Sequence, residues 1–552
     1  MYKYDQYDHQ MLADRVKQFH GQTRRFLDGK LSDTEFLPLR LQNGLYIQRL
    51  APMLRIAVPY GMLSSEQMRK LAFIANYFDK GYGHLTTRQN IQFNWPTLED
   101  VPSILEHLAE VEMHAIQTSG NCIRNTTTDQ FAGSAVDEIE DSRAYCEIIR
   151  QWSTFHPEFA YLPRKFKIAV CGTKDDQAAT QVHDIGIFIV RNAAGETGFR
   201  ILAGGGLGRT PVIGQEMSEF VEKKHLLTFL EAILRVYNRE GRRDNKYKAR
   251  IKILVKATGA EAFRVKVHAE WEKIKDGAMT LTDDEIERCK SYFVSPPYKN
   301  LTDDCPSLDE ALMQNLLFNS WYENNVNPHQ QPGYAIATVS VKETGMAPGD
   351  LSARQMEFLA ALADKFSFGE MRISHQQNII FADVGKDDLF ELWKSLSGQS
   401  LSTHNLGQLT DVICCPGGDF CALANAKSIP IAESIQRKFD NDDELKDIGN
   451  LNINISGCMN ACGHHHVGNI GILGVDKKGA EFYQVSLGGS AENRTSLGKI
   501  IGPAFAQEEI PDVIETIVSV YRDQRADGER FLDTFDRIGM APFKEKVYAK
   551  AD

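Results

Sequence analysis

Three features of the sequence predict an α/β fold of the α+β kind, duplicated about a pseudo-two-fold axis. The first is a long internal match. At an offset of 288, LSSEQMRKLAFIANYFDKGYGHLTTRQNIQF (63 to 93) falls without a gap on LSARQMEFLAALADKFSFGEMRISHQQNIIF (351 to 381), with thirteen of 31 positions identical. The second is a pair of shorter matches at nearly the same spacing. FKIAVCG (166 to 172) falls on LNINISG (451 to 457) at 285, which brings His183-Asp184-Ile185-Gly186 near Gly468-Asn469-Ile470-Gly471; Ala203-Gly204-Gly205 falls on Leu487-Gly488-Gly489 at 284. The third is the periodicity within each copy. Leu, Met, Leu, Ala and Phe recur at helical spacing, and a Gly then leads into an alternating strand that ends in QN-I-x-F. Each copy is therefore a helix feeding a strand, followed by a second α/β lobe. Two such halves leave a cleft between them, where each can lend different side chains to one ligand.

The length of 552 residues gives material for about three or four lobes of roughly 150 residues each. The amino-terminal stretch MYKYDQYDHQMLADRVKQFHGQTRR has no apolar core, and nowhere do eighteen apolar residues run together. The expectation is a cytoplasmic chain with no signal peptide and no membrane span. A net charge of -12 argues against a general nucleic-acid binder. The basic run of Arg239, Arg242, Arg243, Lys246, Lys248 and Arg250 reads as a solvated helix face.

Ten cysteines are too few for a disulfide scaffold, and five of them (Cys414, Cys415, Cys421, Cys458 and Cys462) fall within 49 residues. Cys415 and Cys421 form a C-x5-C pair, and Cys458 and Cys462 a C-x3-C pair. Four thiolates on two Gly-rich loops suit an iron-sulfur cubane, because soft sulfur holds iron and each ligand must reach a different corner. Zinc, the competing metal, favours C-x2-C spacing. Cys414 is left as a spare. His464, His465 and His466 read as pocket-lining or structural, since three consecutive side chains of a strand cannot all face one metal. The first copy carries Arg124, Lys165 and Lys167 in the region where the second carries its cysteines. One half thus specialises in metal and the other in positive charge.

The C-x5-C and SGC-x3-CG pattern, with TTRQNIQF, IRN and LPRKFK in the same order, resembles the sirohaem-dependent nitrite and sulfite reductase family over roughly residues 45 to 540. The resemblance implies two ferredoxin-like half-domains and two sirohaem/4Fe-4S lobes. On this chain that gives an amino-terminal extension (1-44), half-domain 1 (45-115), the sirohaem and substrate lobe 1 (116-275), a connector (276-332), half-domain 2 (333-400) and the 4Fe-4S and sirohaem lobe 2 (401-552). It implies that Cys415, Cys421, Cys458 and Cys462 hold the cluster, that Cys462 is also axial to the sirohaem iron, and that Asn460 contacts the macrocycle. Arg88, Arg124, Lys165 and Lys167 look like the family's four cationic substrate residues.

The chemistry of those residue types agrees. Sirohaem has eight carboxylates and the substrate is an anion, so the site needs concentrated cations in an acidic chain. Arginine grips oxyanion oxygens with planar paired donors, and crowded lysines lose pKa toward neutrality and so become proton donors. Family members specialised for nitrite usually have Asn at the position of Lys167, so the pair of lysines favours sulfite, with nitrite as the alternative. No G-x-G-x-x-G stands at a strand-to-helix junction, and electrons are expected from a separate ferredoxin or flavoprotein. A non-catalytic iron-sulfur carrier is the reading from another class. The loop CPGGDFC and His464 to His466 depart from the versions associated with enterobacterial-type sulfite reductase haemoprotein and plant-type nitrite reductase.

Overall fold

Ser64 and Ser352 each stand three residues before a Gln, and each pair closes a capping box in the computed structural model, which describes residues 1–549. Ser64 Oγ accepts from the Gln67 N–H at 3.1 Å while Gln67 Oε1 accepts from the Ser64 N–H at 3.0 Å. Ser352 and Gln355 repeat this at 3.2 and 3.0 Å. The reciprocal bonds satisfy two otherwise orphaned amides and fix where each helix starts. The helices Ser65–Phe78 and Ala353–Phe366 then bury Met68, Leu71, Ala72 and Ala75, and Met356, Leu359, Ala360 and Ala363. Both faces enter one core, in which the two helices pack on each other.

The strands follow the duplication. The first half-domain supplies β1 (Leu45–Ile47), β2 (Pro52–Ile56), β3 (Met62–Ser64), β4 (Tyr82–Leu85) and β5 (Ile91–Phe93). The first lobe supplies β6 (Thr127–Thr128), β7 (Ile168–Cys171), β8 (Ile185–Arg191), β9 (Thr197–Ala203) and β10 (Gln215–Glu222). The second half-domain supplies β11 (Val326–Pro328), β12 (Tyr334–Val339), β13 (Asp350–Ser352), β14 (Glu370–Ile373) and β15 (Ile379–Gly385). The second lobe supplies β16 (Ile413–Cys414), β17 (Ile453–Ser456), β18 (Ile470–Lys477), β19 (Ala480–Leu487) and β20 (Lys499–Ile500).

These make four five-stranded sheets. The half-domain sheets exchange an edge: the order is β1-β2-β5-β4-β13 in one and β11-β12-β15-β14-β3 in the other. Leu351 pairs with Gly83 and Leu63 with Met371, so each half completes the sheet of its twin. The lobe sheets run β10-β9-β8-β7-β6 and β16-β17-β18-β19-β20. In both, the first three strands in sequence are parallel and the remaining pairings antiparallel.

The segment expected as one alternating strand is a hairpin in each copy, β4 with β5 and β14 with β15, because the left-handed Gln turns the chain back, and the QN dipeptide in that turn joins half-domain to lobe. Gln89 and Gln377 sit at φ +56° and +65°. From there Gln89 donates to the Thr128 carbonyl and accepts from the Thr128 N–H, both at 3.0 Å, and Gln377 does the same to Cys414, both at 2.9 Å. Each side chain thus pairs the free edge of a lobe sheet in place of another strand. Gln377→Ala strands both Cys414 groups and is expected to cost about 1–3 kcal/mol for each buried group left unpaired. Denaturant unfolding would measure this, and an unchanged midpoint would show that water replaces the clamp.

The stretch from 276 to 332 contains the helices Asp283–Lys290, Pro306–Gln314 and Leu316–Asn325 as well as β11. The basic run is not one helix face. Arg239 lies in the helix Leu226–Glu240, whereas Arg242 to Lys248 form an exposed loop. Arg250 stands just before the helix Ile251–Thr258 and turns its side chain into the protein, with only 13% of it exposed. Gly241 ends the first helix, and this breaks the helical period that the charges suggested.

Candidate functional site

All four paired cysteines stand at the carboxyl ends of two neighbouring parallel strands. Cys415 directly follows β16, and Cys458 and Cys462 lie on the loop that leaves β17. Glycines let these loops close on each other. A methyl at Gly457 would lie 2.7 Å from Gly417 Cα on the other loop, and one at Gly463 would lie 1.9 Å from the Ile455 carbonyl oxygen. The Cys415 thiol accepts from the Gly457 N–H at 3.3 Å. Burial, and then the neighbouring charge of Cys462, pushes Cys415 up to about 12. Cys421 and Cys458 are also raised, first by burial, and both respond to Cys462. The four sulfurs therefore share one electrostatic neighbourhood. Among the described residues no three His, Cys, Asp or Glu side chains are grouped to hold a single metal ion. Cys462, Asn460 and Met459 are exposed on the rim of this loop. Cys414 points the other way, into the lobe core, with 1% exposure.

The cations are not at the positions equivalent to the cysteines. Arg124 precedes β6, and Lys165 and Lys167 precede β7, so they occupy the amino ends of the strands. Their equivalents in the second lobe are Thr410, Asn450 and Asn452. The two lobes have specialised at opposite strand ends. They nevertheless meet: Thr87 Oγ1, beside Arg88, donates to the Cys462 carbonyl at 2.7 Å, and the charge of Cys462 acts on both Lys165 and Lys167.

Both arginines spend donors on the protein. Arg88 donates to Thr127 Oγ1 at 2.7 Å and to the Asn125 and Ile168 carbonyls at 2.5 and 3.2 Å. Arg124 donates to the Thr118 carbonyl at 2.7 Å and twice to the Gly120 carbonyl, at 3.2 and 2.7 Å. A guanidinium has five N–H donors, so part of each fork stays open to a ligand and the rest holds the fork still. Burial lowers Arg88 to about 9, with Asp184 opposing the shift.

The lysines differ. Lys165 and Lys167 flank Phe166, which bridges to Ile123, and the strand proper begins only at Ile168. Both are densely surrounded by protein yet keep part of their surface open. Neither ammonium has a hydrogen-bond or ion-pair partner among the described residues. Burial lowers both pKa values, and for Lys167 the charges of Lys165, Arg88 and Arg250 add to it. Two unpaired ammoniums beside four crowded thiols fit a bound group that is rich in carboxylate, sulfur and iron.

Other residues reach this site from parts of the sequence that carried no motif. Tyr46, on β1, is raised by burial but more strongly lowered by Arg124, Arg55 and Lys165, which leaves its phenol below the ordinary value. Asp184 is fully buried and accepts from Arg250 Nε at 2.9 Å, from its terminal nitrogen at 2.7 Å, and from the Lys167 N–H at 2.9 Å. The Lys252 ammonium donates to the Gly206, Leu207 and Thr210 carbonyls, and burial lowers it to about 7. His464 to His466 are not on a strand. His464 takes a left-handed turn at φ +57° into a single 3-10 turn, His465–Val467, on the connection that carries the chain from the end of β17 back to the start of the parallel β18. His466 Nε2 lies 2.9 Å from the Gly208 carbonyl of the other lobe, while both ring nitrogens of His465 are buried without a partner.

Comparison with known proteins agrees with this arrangement. The model of the nitrite and sulphite reductase 4Fe-4S domain matches residues 119–275 and 407–552, and that of the nitrite/sulfite reductase ferredoxin-like half domain matches 48–111 and 328–398. A sulfite reductase [ferredoxin] of Mycolicibacterium paratuberculosis is 27% identical over 87% of this chain and 81% of its own. An assimilatory ferredoxin-dependent nitrite reductase of Haloferax mediterranei is 28% identical over 87% and 80%. The solved NirA protein of Mycobacterium tuberculosis shares the fold, with a TM-score of 0.75 at 24% identity over 93% of this chain and 92% of that one. The protein therefore belongs to the sirohaem-dependent nitrite and sulfite reductase family, whose enzymes work with sirohaem and a 4Fe-4S cluster.

Proposed function

We propose that the enzyme reduces sulfite to sulfide, and that the two unpaired ammoniums of Lys165 and Lys167 carry this choice. Sulfite approaches a double negative charge where nitrite has one, so a second free cation gains more from sulfite. Sirohaem coupled to a 4Fe-4S cluster would, when bound, pass six electrons from the external donor to the oxyanion. Cys415, Cys421, Cys458 and Cys462 would hold the cluster, Cys462 would also serve the sirohaem iron, and Asn460 on the exposed rim would contact the macrocycle. The open donors of Arg88 and Arg124 orient the oxyanion, their remaining donors being pinned by carbonyls. Lys165 and Lys167 hold protons that burial makes easier to release, where departing oxygens need them. Nitrite is the alternative substrate, favoured by relatives that bear the name nitrite reductase. A bare electron carrier has no use for unpaired buried ammoniums.

Electrons come from a separate protein, a ferredoxin by analogy with the names of the relatives. Purified enzyme is expected to form sulfide with reduced methyl viologen or reduced ferredoxin and not with NADPH alone. Its kcat/KM for sulfite should exceed that for nitrite with the same donor. A preference for nitrite would overturn the substrate, and NADPH-driven turnover by this chain alone would overturn the donor.

A further inference from the structure

Asp184 has a twin in the other lobe, and the two differ by one charge. The Asp184 carbonyl accepts from the Gly204 N–H at 2.9 Å, as the Asn469 carbonyl accepts from the Gly488 N–H at 3.0 Å. The Asp184 side chain accepts from the Lys167 N–H at 2.9 Å, as Asn469 accepts from the Asn452 N–H at 3.0 Å. An amide therefore suffices for every bond the backbone asks of this position. The carboxylate has a further contact, the two-pronged ion pair with Arg250.

Arg250 also has a twin. Both Arg250 and Arg530 stand just before a helix, and Val255 and Phe535 of those helices pack on the equivalent Gly204 and Gly488. Arg530 is half exposed and reaches Glu492 at 3.3 Å. Arg250 instead lies inside, where its charge acts on Arg88, Lys165 and Lys167. A fully exposed carboxylate could neutralise it only weakly, whereas a buried one acts at low dielectric.

We infer that Asp184 is a positioning residue that sets the net charge of the substrate pocket, by neutralising Arg250 while holding the main chain of Lys167. This rests on the oxyanion reading above. Uncompensated, Arg250 would add a fixed charge beside the substrate cations, so that anions would bind more tightly and Lys167 would hold its proton less well. The pocket as built trades some anion affinity for protonated lysines.

The test is a charge ladder on the cofactor-loaded enzyme, read as dissociation constants from the change in visible spectrum on adding sulfite. Phosphate serves as a competitor that is not reduced. Asp184→Asn keeps the bond to Lys167 and should tighten sulfite and phosphate roughly three- to tenfold, as one added charge in a partly solvated pocket does. KM and kcat should fall together. Arg250→Gln should weaken binding by a similar factor, and the double variant should return to within about twofold of the starting value. A purely structural role would instead weaken binding in both single variants. Single variants that shift affinity in the same direction, or not at all, overturn the inference alone. A wild type that binds neither anion overturns the oxyanion reading together with it. Should Asp184→Asn lose its cofactors, Arg250→Gln decides: unchanged affinity there overturns the proposal.

Discussion

Serine at Cys415, Cys421, Cys458 or Cys462 is expected to bring cluster iron and acid-labile sulfide to background and sulfite turnover below detection. A serine hydroxyl keeps its proton at neutral pH and offers a hard oxygen where iron needs soft sulfur. Cys415, Cys421 and Cys458 are each raised first by burial and further by the charge of Cys462, so a metal that replaces their protons favours the thiolate form of all three. Cys414→Ala should keep the full complement of iron. Its side chain lies in the lobe core and its backbone is held by Gln377, so the expected cost is stability alone, about 1 kcal/mol. Iron and sulfide assays on the five variants decide the matter. Loss of the cluster from the Cys414 variant alone would overturn the ligand set.

Lys167→Asn is the substitution expected to separate the substrates. Loss of a well-placed proton donor costs about 10²–10⁴ in rate, and the loss should fall on the kcat/KM of sulfite far more than on that of nitrite. The equivalent residue of the second lobe is already Asn452, whose backbone makes the same bond to its partner, so the fold should tolerate the change. The pH dependence follows from the direction of the shift. Burial and the charges of Lys165, Arg88 and Arg250 place Lys167 well below an ordinary lysine. Its protonated form is complete below that lowered value and is lost as pH rises through it. Sulfite turnover should therefore decline at a pH where a free lysine would still be charged. Lys167→Arg keeps its charge throughout and should bind sulfite without that decline, but turn it over slowly, because a guanidinium gives up a proton poorly. Equal losses for both anions would show that Lys167 attracts charge without choosing between them.

The duplication was legible because its signals are local. Helical spacing and the QN-I-x-F segment recur at one offset, and the structure builds the same elements from each, although the single strand expected there is a hairpin turned at QN. The cysteines were legible for the same reason, since two short loops hold all four. The edge exchange was not, because nothing in Met62 to Ser64 says which of two similar sheets it will join. The two arginines were visible as charges, but their partial commitment to the carbonyls of Thr118, Gly120, Asn125 and Ile168 depends on loops that only the folded chain brings together. Asp184 could have been found: the internal alignment sets His-Asp-Ile-Gly against Gly-Asn-Ile-Gly, and a lone acid where the twin is an amide marks a charge with a purpose. Arg250 was hidden at the end of a run of exposed bases, and Tyr46 carries no pattern at all.

The edge exchange also bears on how the chain is made. The first half-domain sheet has β1, β2, β4 and β5 in place by Phe93, but its last strand begins at Asp350. At a synthesis rate of about 5–20 residues per second, the chain waits roughly 13 to 50 seconds for that strand to appear. Meanwhile β4 presents an unpaired edge, the kind of surface on which nascent chains associate wrongly. β3, the twin of β13, waits in turn for β14. Neither half can finish before the other, so shielding by a chaperone would count most in the interval between the two copies.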